Sequence, residues 1–401
     1  MSYGRVIKRN VTAHSIRGEI SSDSYTEDLE GEYMMGLFEK STIKSMVLSN
    51  RFVRSATWEG MAADDGTVTP QLIETMVALA KGGVGLIITS HTYVSPEGRA
   101  GPWQLAVYND AFIPGLREMT AAVHNRGGKI ILQLAHAGNF SAEKLTGQVP
   151  LVVSDFEGLT KSPRKEITDA DIQSLVNAFA DAAGRAKSAG FDGVQIHSAH
   201  GYLLSQFLSP VFNRRQDRYG GDIRNRARIH LEVYHAVRQT VGDDYPILMK
   251  LNCRDFVENG LTLEDSLQVG SMLADAGLDA IELSGGLLTG GKLSPSRSGI
   301  DTEDKEAYFR EDARAFKKNI GIPLIVVGGV RSFEVAEHLI KDGVADYISM
   351  SRPFIREPGL INRWKAGDRS KAKCISGNQC FGPAMKGRGT YCVTEEREMA
   401  E

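Results

Sequence analysis

Eight short apolar runs recur along the chain, and segments with helical periodicity alternate with them. The apolar runs lie at 51–57, 84–89, 129–134, 192–197, 246–251, 279–284, 323–329 and 345–351. The helical segments lie at 70–81, 113–126, 169–189, 223–240, 262–276, 303–319, 332–341 and 357–365. Strands that alternate with helices predict βαβ units and a parallel sheet. Eight such units within about 310 residues predict an α/β fold with a single (β/α)8 TIM barrel. A doubly wound sheet is the alternative.

Residues at the ends of these segments support the helix boundaries. Thr168 and Thr262 each precede a helical segment, and Asp265 follows Thr262 by three residues, which is a capping pattern. Gly190 and Gly277 stand where two of the helices are expected to end. Local chemistry and periodicity therefore predict the same boundaries.

The chain divides into three parts by pattern. Residues 1–36 are polar and weakly patterned, so we expect an N-terminal extension there. Residues 37–368 carry the alternation and form the predicted barrel domain, and residues 369–401 form a short cysteine-containing tail. No proline- or serine-rich linker divides the barrel region, and a hydrophobic content of 42% supports one sizeable core.

Charge and cysteine content exclude several classes of protein. The formal net charge is −3 and no run of Lys and Arg is present, which argues against a nucleic-acid partner. No apolar stretch approaches the roughly 20 residues that span a bilayer, so no membrane partner is expected. Four cysteines are too few for a disulfide framework, and the stretch "MSYGRVIKRNVTAHS" lacks the apolar run of a signal peptide. These features predict a cytoplasmic protein.

Two imidazoles and a phenol follow the fourth predicted strand in the stretch "GVQIHSAHGY", where they belong to His197, His200 and Tyr202. In (β/α)8 barrels the active site lies at the C-terminal ends of the strands. A lone histidine in the place of His197 is more often a buried, hydrogen-bonded core residue. Three polar ring groups together at this position indicate an active site.

Several longer stretches resemble the Old Yellow Enzyme family of FMN-dependent oxidoreductases. The most specific is 193–229, which continues as "SPVFNRRQDRYGGDIRNRARI". Shorter matches follow the family's order: "NRFVRSAT", "GLIITSHTYVSPEGRAGPWQLAVYND", "LQLAHAG", "LIVVGGV" and "ISMSRPFIREP". The resemblance covers residues 37–365. This region is similar to the barrel part of the 2,4-dienoyl-CoA reductase-like branch. It implies a (β/α)8 barrel that binds FMN.

The resemblance also implies the catalytic roles. His197 and His200 look like the pair that binds the carbonyl oxygen of an unsaturated substrate; many relatives have Asn in place of the second histidine. Two N–H donors at that oxygen stabilise the negative charge that develops when a hydride adds to the β-carbon. Tyr202 looks like the proton donor to the α-carbon, since a phenol with an ordinary pKa of about 10 stays protonated at neutral pH.

The cofactor residues implied by the resemblance fall into two groups. Gln133 and Thr57 look like hydrogen-bonding partners of the flavin ring, with Ser55 and Ala56 along it and Lys250 near its N1 atom. The phosphate-binding segment would comprise Gly328, Gly329, Ser351 and Arg352, whose N–H groups suit a dianion. No G-x-G-x-x-G motif follows a strand, so NADH or NADPH is expected to use the same pocket as the substrate.

This chain departs from the family pattern at two places. His91 stands where relatives usually have a small residue, and it either narrows the pocket and reorients the flavin edge or points away. The tail resembles an iron–sulfur segment, but only Cys374, Cys380 and Cys392 remain, because Gly377 replaces an expected ligand. Loss of a thiolate ligand predicts that no metal is bound, with a cluster or zinc as the alternatives.

The predicted function is reduction of the C=C bond of α,β-unsaturated carbonyl compounds by NADH or NADPH through FMN. A flavin-dependent amine dehydrogenase or demethylase of the same family is one alternative. A non-redox phosphate-binding barrel, an aldolase or isomerase with Lys250 as a Schiff-base lysine, is another. The expected partner is a small-molecule activated alkene, and a homo-oligomer remains open.

Overall fold

The computed structural model describes residues 36–157, 159 and 163–400. The extension predicted for 1–36 therefore lies outside the described residues, apart from Gly36, and remains a prediction. The described residues fall within a single compact unit that includes the predicted tail. None of the helices in this part of the chain combines the length and the apolar character that crossing a bilayer requires.

Eight parallel strands close into a barrel. They are β1 Phe52–Arg54, β2 Leu86–Tyr93, β3 Ile130–Ala135, β4 Val194–Ser198, β5 Ile247–Asn252, β6 Ala280–Ser284, β7 Leu324–Val326 and β8 Tyr347–Met350. Each strand pairs with the next, and β8 pairs with β1 through Ile348 and Phe52, which completes the ring. The predicted (β/α)8 barrel is confirmed, and the doubly wound alternative is wrong because the sheet has no open edge.

Helices surround the barrel and follow the predicted order. They are α1 Pro70–Lys81, α2 Ile113–His124, α3 Asp169–Ser188, α4 Ile223–Val241, α5 Leu263–Asp275, α6 Arg310–Asn319, α7 Phe333–Lys341 and α8 Leu360–Lys365. Shorter helices lie at Glu143–Thr146, Leu203–Leu208, Arg352–Arg356 and Phe381–Ala384, and Val393–Ala400 ends the described chain. A two-stranded parallel sheet, Leu151–Val152 with Lys165–Glu166, lies outside the barrel.

The helix α6 is shorter than its predicted range. The helix predicted at 303–319 begins at Arg310, because Ala307 adopts a left-handed conformation with φ of 46°. The buried Glu306 carboxylate accepts hydrogen bonds from the N–H groups of Arg331 and Ser332, which holds this segment out of the helix. Tertiary hydrogen bonds therefore outweigh the helical pattern here.

A hairpin closes the N-terminal end of the barrel. Its strands, Ser41–Ile43 and Met46–Leu48, pair antiparallel. The buried Ile43, Met46 and Leu48 pack against the lowest layer of side chains inside the barrel. This layer contains Val53, Leu86, Ile88, Ile131, Leu248, Ala280, Ile325 and Tyr347. The apolar plug leaves the opposite end of the barrel as the place for polar chemistry.

The predicted cap of α3 forms a complete capping box. The Thr168 hydroxyl accepts a hydrogen bond from the Asp171 N–H at 3.2 Å, and the Asp171 carboxylate accepts one from the Thr168 N–H at 2.9 Å. Both bonds satisfy N–H groups that the first turn of the helix leaves without partners.

Thr168→Ala should therefore lower the free energy of unfolding by about 1 kcal/mol, which is typical of a lost N-cap. The matched control is Ser174→Ala, which removes an exposed hydroxyl from the interior of the same helix. Thermal unfolding of both holoproteins is the measurement. An equal fall in midpoint for the two variants would contradict the cap's contribution.

Candidate active site

Strand pleating places a polar layer directly above the apolar floor of the barrel. Side chains two residues apart along a strand face the same way, so each floor residue is followed by a second inward side chain. On five strands these second positions hold Ser55, Gln133, Lys250, Glu282 and Ser349, and Gln195 on β4 pairs with Gln133 at the same level; all six are buried. The barrel core is therefore apolar at its closed end and polar below the C-terminal mouth.

A buried ion pair lies at the centre of this layer. Lys250 Nζ on β5 lies 3.0 Å from Glu282 Oε1 on the neighbouring β6, and neither side chain is more than 4% exposed. The same carboxylate accepts hydrogen bonds from the hydroxyls of Ser55 and Ser349 and from the Gln195 amide. Burial alone would raise the pKa of Glu282, but Lys250 and these donors outweigh it and hold the pKa below its ordinary value. Glu282 is therefore held ionised next to Lys250.

A chain of hydrogen bonds connects Glu282 to side chains in the pocket wall. Gln195 Nε2 donates to Glu282 Oε2 at 2.8 Å, and Gln133 Nε2 donates to Gln195 Oε1 at 2.7 Å. Lys250 Nζ also donates to Ser55 Oγ at 2.8 Å. Gln133, Lys250 and Ser55 are therefore held in one orientation by groups that lie beneath them.

The three ring groups singled out in the sequence converge above the polar layer. The ring centroid of His197 lies 5.3 Å from that of His200 and 4.7 Å from that of Tyr202. His200 Nε2 lies 2.7 Å from the Ser284 hydroxyl. Within the described residues His197 Nδ1 is buried with no hydrogen-bond partner. An unpartnered buried nitrogen beside two other ring groups suits a bound polar ligand.

The backbone turns sharply to bring His200 into this cluster. His200 has φ of 65°, and Gly201, the next residue, has φ of 86°. The left-handed conformation is costly for histidine. It is held by the His200 N–H, which donates to Asn252 Oδ1 at 3.1 Å, and by the His200 carbonyl, which accepts from the Leu288 N–H.

The imidazoles of the cluster are neutral. Burial lowers the pKa of His197 well below its ordinary value, and the neighbouring His200, His91 and Lys250 lower it further. Burial, Lys250 and His91 likewise lower the pKa of His200. Burial raises the pKa of Tyr202, so the phenol stays protonated. Each neutral imidazole carries one N–H, which can donate to a substrate oxygen.

His91 points into the pocket, towards Tyr202. Its Nε2 atom lies 3.4 Å from the Tyr202 hydroxyl, and the two ring centroids are 5.3 Å apart. Burial lowers the pKa of His91 to about 4. Of the two orientations that the sequence left open, the side chain adopts the inward one and narrows the pocket.

The predicted phosphate segment lies at the ends of β7 and β8. Gly328 and Gly329 have φ of 137° and 80°, which ends β7 three residues earlier than the apolar run predicts. A Cβ atom on Gly329 would lie 2.8 Å from the Tyr308 ring, so only glycine fits there. Within the described residues the N–H groups of these two glycines donate to no protein acceptor, which leaves them free for an anion.

Side chains from β8 complete this end of the pocket. The Ser351 and Thr57 hydroxyls are 2.7 Å apart, and Thr57 also donates to the Ser55 carbonyl. Arg352 Nη1 donates to Asn378 Oδ1 at 2.6 Å. The donor set at the cavity, which comprises the Gly329 N–H, hydroxyls and a guanidinium, suits a phosphate group.

One cavity brings the predicted residues together. It is lined by Ser55, Ala56, Thr57, Gln133, His197, His200, Tyr202, Lys250, Gly329, Ser351 and Arg352. Gly328 does not line it and instead gives its carbonyl to the Tyr308 N–H. The cavity also contains residues that the sequence analysis missed, among them Trp58, Ser284, Arg331, Ser376 and Phe381. Arg331 could have been found, because it directly follows the "VVGGV" stretch.

The tail cysteines line a second, smaller cavity next to the first. Cys374, Cys380 and Cys392 lie there with Arg352 and Arg356. Arg356 Nη1 donates to Cys392 Sγ at 3.4 Å, and burial raises the pKa of Cys380 to about 11. Among the described residues, no group of three or more His, Cys, Asp or Glu side chains is arranged to hold a metal ion. The expectation that no metal binds remains a prediction.

Fold and site together define the class of FMN-binding (β/α)8-barrel oxidoreductases. A family model confirms the class: the chain matches the NADH:flavin oxidoreductase / NADH oxidase family over residues 36–371 and belongs to that family. The resemblance to the Old Yellow Enzyme family is thereby confirmed. The members of this family are described as NADH:flavin oxidoreductases and NADH oxidases.

Individual relatives agree with this assignment. A NADH oxidase of Thermoanaerobacter brockii is 38% identical over 354 residues, covering 86% of this chain and 53% of the relative. The chain thus spans about half the length of that relative. A NADPH dehydrogenase of Geobacillus thermodenitrificans is 37% identical over 325 residues, with 80% of this chain and 91% of the relative covered. The structure of the Old Yellow Enzyme homologue from Zymomonas mobilis matches with a TM-score of 0.73 and 25% identity, over 90% of this chain and 98% of that one.

The neutral imidazoles predict how stability depends on pH. A histidine whose pKa is lowered to about 4 on folding is neutral in the native state, whereas the unfolded chain binds a proton below about pH 6.5. Above pH 6.5 this histidine does not lower the free energy of unfolding. Below pH 6.5 the free energy of unfolding falls as the pH drops towards 4. The thermal midpoint should fall between pH 7 and pH 5.

His91→Gln should make this fall less steep, because it removes one of the groups responsible. His338→Gln, which changes an exposed histidine on α7, should leave the slope as it is. Thermal midpoints of the three holoproteins at several pH values between 7 and 5 test the difference. Identical slopes for wild type and His91→Gln would show that His91 is not held neutral by burial.

Proposed function

We propose that the protein reduces the C=C bond of α,β-unsaturated carbonyl compounds with NADH or NADPH. The observation that carries the proposal is the convergence of two neutral imidazoles and a protonated phenol at the end of β4. Because reductant and substrate share one pocket, the two half-reactions alternate. The substrate is a small molecule that fits the single cavity above the polar layer.

His197 and His200 bind the carbonyl oxygen of the substrate. Each neutral imidazole donates one N–H, and the His200 side chain is held before the substrate arrives by Ser284 and by its constrained backbone. Fixed donors stabilise the negative charge that grows on the oxygen as the β-carbon is reduced. Removing one such donor typically costs about 2.7–4 kcal/mol of transition-state stabilisation.

Tyr202 supplies the proton for the α-carbon. Its hydroxyl lies beside His197 on the rim of the same cavity, and burial keeps it protonated at neutral pH. Transfer of this proton converts the enolate into the saturated carbonyl product. A general acid placed in this way typically accelerates such a step by about 10²–10⁴-fold.

The proposal gives the cofactor-binding residues the roles that the family resemblance implies. Bound FMN would supply the hydride chemistry that links the nicotinamide to the substrate. Gln133 and Thr57 would bind the ring, with Ser55, Ala56 and Lys250 beneath or beside it. Gly328, Gly329, Ser351 and Arg352 would bind the phosphate. Because Glu282 compensates the charge of Lys250, the field of this lysine at the ring is weaker than that of a free ammonium.

Neither alternative function fits the site as well. Oxidation of an amine needs no pair of N–H donors for a carbonyl oxygen, yet His197 and His200 form such a pair in this pocket. A Schiff-base aldolase needs a lysine amine that is free to attack a carbonyl, whereas Lys250 Nζ donates to Ser55 and lies 3.0 Å from Glu282. A cytoplasmic location and a homo-oligomer remain predictions.

Tyr202→Phe tests the proposal directly. The substitution removes one oxygen, so reduction of the bound FMN by NADPH should be nearly unchanged. The oxidative half-reaction with 2-cyclohexenone should slow by roughly 10²-fold or more, the usual scale for a lost general acid. Stopped-flow flavin absorbance under anaerobic conditions measures both half-reactions.

Two further variants check the carbonyl site. His197→Ala and His200→Ala should weaken binding of phenolate ligands, which mimic the enolate oxygen, and should also slow the oxidative half-reaction. The proposal is wrong if wild-type holoenzyme reduces no enone, or if Tyr202→Phe leaves enone reduction at the wild-type rate when that step limits turnover.

The tail is expected to bind no iron–sulfur cluster, since Gly377 replaces one of the four expected ligands. Protein purified without oxygen should contain less than stoichiometric iron and acid-labile sulfide. Cys392→Ser provides the control, because a real cluster would be lost in that variant. The prediction would be wrong if wild type contained four iron and four sulfide atoms per chain and Cys392→Ser contained none.

A further inference from the structure

His91 reaches the pocket because β2 is irregular. In the floor layer Leu86 and Ile88 face inward, so strict alternation would point Ser90 inward and His91 outward. The pairing of β2 with β3 shifts register between Ile88 and His91, after which His91 pairs with Gln133. An extra residue in a strand reverses the facing of the positions beyond it. The His91 carbonyl accepts from Gln104 Nε2 at 3.0 Å, which anchors this stretch.

We propose that His91 is a positioning residue for Tyr202: its Nε2–H donates to the phenolic oxygen. This donation directs the phenol's own hydrogen towards the substrate α-carbon and stabilises the oxygen once that hydrogen has left. The inference rests on the proposed function, in which Tyr202 is the proton donor. The geometry behind it is the 3.4 Å approach of Nε2 to the hydroxyl.

The direction of the hydrogen bond follows from the needs of Tyr202. A phenol has one hydrogen, and if it donated to His91 that hydrogen would point away from the substrate. With His91 as donor, the hydrogen stays free for the cavity that Tyr202 lines. The 3.4 Å distance is long, as catalytic hydrogen bonds often are before the substrate binds.

His91 also stabilises the negative charge that proton transfer leaves on the Tyr202 oxygen. When the α-carbon takes the proton, the O–H bond of Tyr202 breaks and a C–H bond forms from the enolate electron pair. The negative charge moves from the substrate oxygen to the phenolate. Tyr202 is 8% exposed and faces the rings of Phe140 and His197, so an unassisted phenolate there would be poorly solvated. An N–H donor at the oxygen lowers that cost.

Two variants separate this role from simple packing. His91→Phe keeps a ring but lacks the N–H, while His91→Gln retains an amide N–H near the former Nε2 position. His91→Phe should slow single-turnover reduction of 2-cyclohexenone by pre-reduced holoenzyme by about tenfold or more, as expected for a lost bond to a charged oxygen. His91→Gln should stay within a few-fold of wild type, and reduction of FMN by NADPH should hardly change in either.

A double substitution shows whether His91 acts through Tyr202. In a Tyr202→Phe background, His91→Phe should cause no additional slowing, because the group that it assists is already gone. Multiplicative effects of the two substitutions would overturn the proposal. So would a His91→Gln variant as slow as His91→Phe.

A measurement without turnover completes the test. Holoenzyme labelled with ¹⁵N-histidine should show His91 as the Nε2–H tautomer at pH 7, identified by the resonance missing from His91→Gln. The Nε2 resonance should shift in Tyr202→Phe. The Nδ1–H tautomer would overturn the inference whatever the activity. If wild type reduces no enone yet shows the Nε2–H tautomer coupled to Tyr202, the proposed function fails and the hydrogen bond stands.

Discussion

The ion pair of Lys250 and Glu282 is the interaction on which the site depends. Breaking a buried pair by removing one partner typically costs about 3–5 kcal/mol, because the other charge is left without compensation in a medium of low dielectric constant. The structure avoids this cost by placing both residues on neighbouring strands and by adding hydroxyl and amide donors. The same bonds orient Ser55 and Gln133, so the orientation of these two side chains depends on the Lys250–Glu282 pair in the same layer.

Much of the fold could be predicted from pattern alone. Apolar runs of strand length alternate with helical periodicity, and Thr168 and Thr262 mark helix starts that the structure confirms. His197, His200 and Tyr202 were recognisable because polar rings rarely follow a buried strand without reason. Among the predicted boundaries that needed correction were the start of α6 and the end of β7. In both, a buried carboxylate or a glycine pair overrides the local periodicity.

The remaining features depend on contacts between distant residues. Glu282 reads as an ordinary residue of the run 279–284, and its role appears only when pleating brings it against Lys250. The inward orientation of His91 requires a register shift that sequence alternation does not reveal. Asn378 lies in the tail, and its bond to Arg352 joins residues that no local pattern connects. These are effects of packing, which a one-dimensional pattern does not contain.

The bond between Arg352 and Asn378 has a consequence for how the parts of the chain depend on one another. Asn378 also donates to the Ser296 carbonyl, so one tail residue bridges the loop after β6 and the arginine proposed to bind phosphate. Under that assignment, ligand occupancy and tail docking share Arg352, so any effect of one on the other is reciprocal and equal in size.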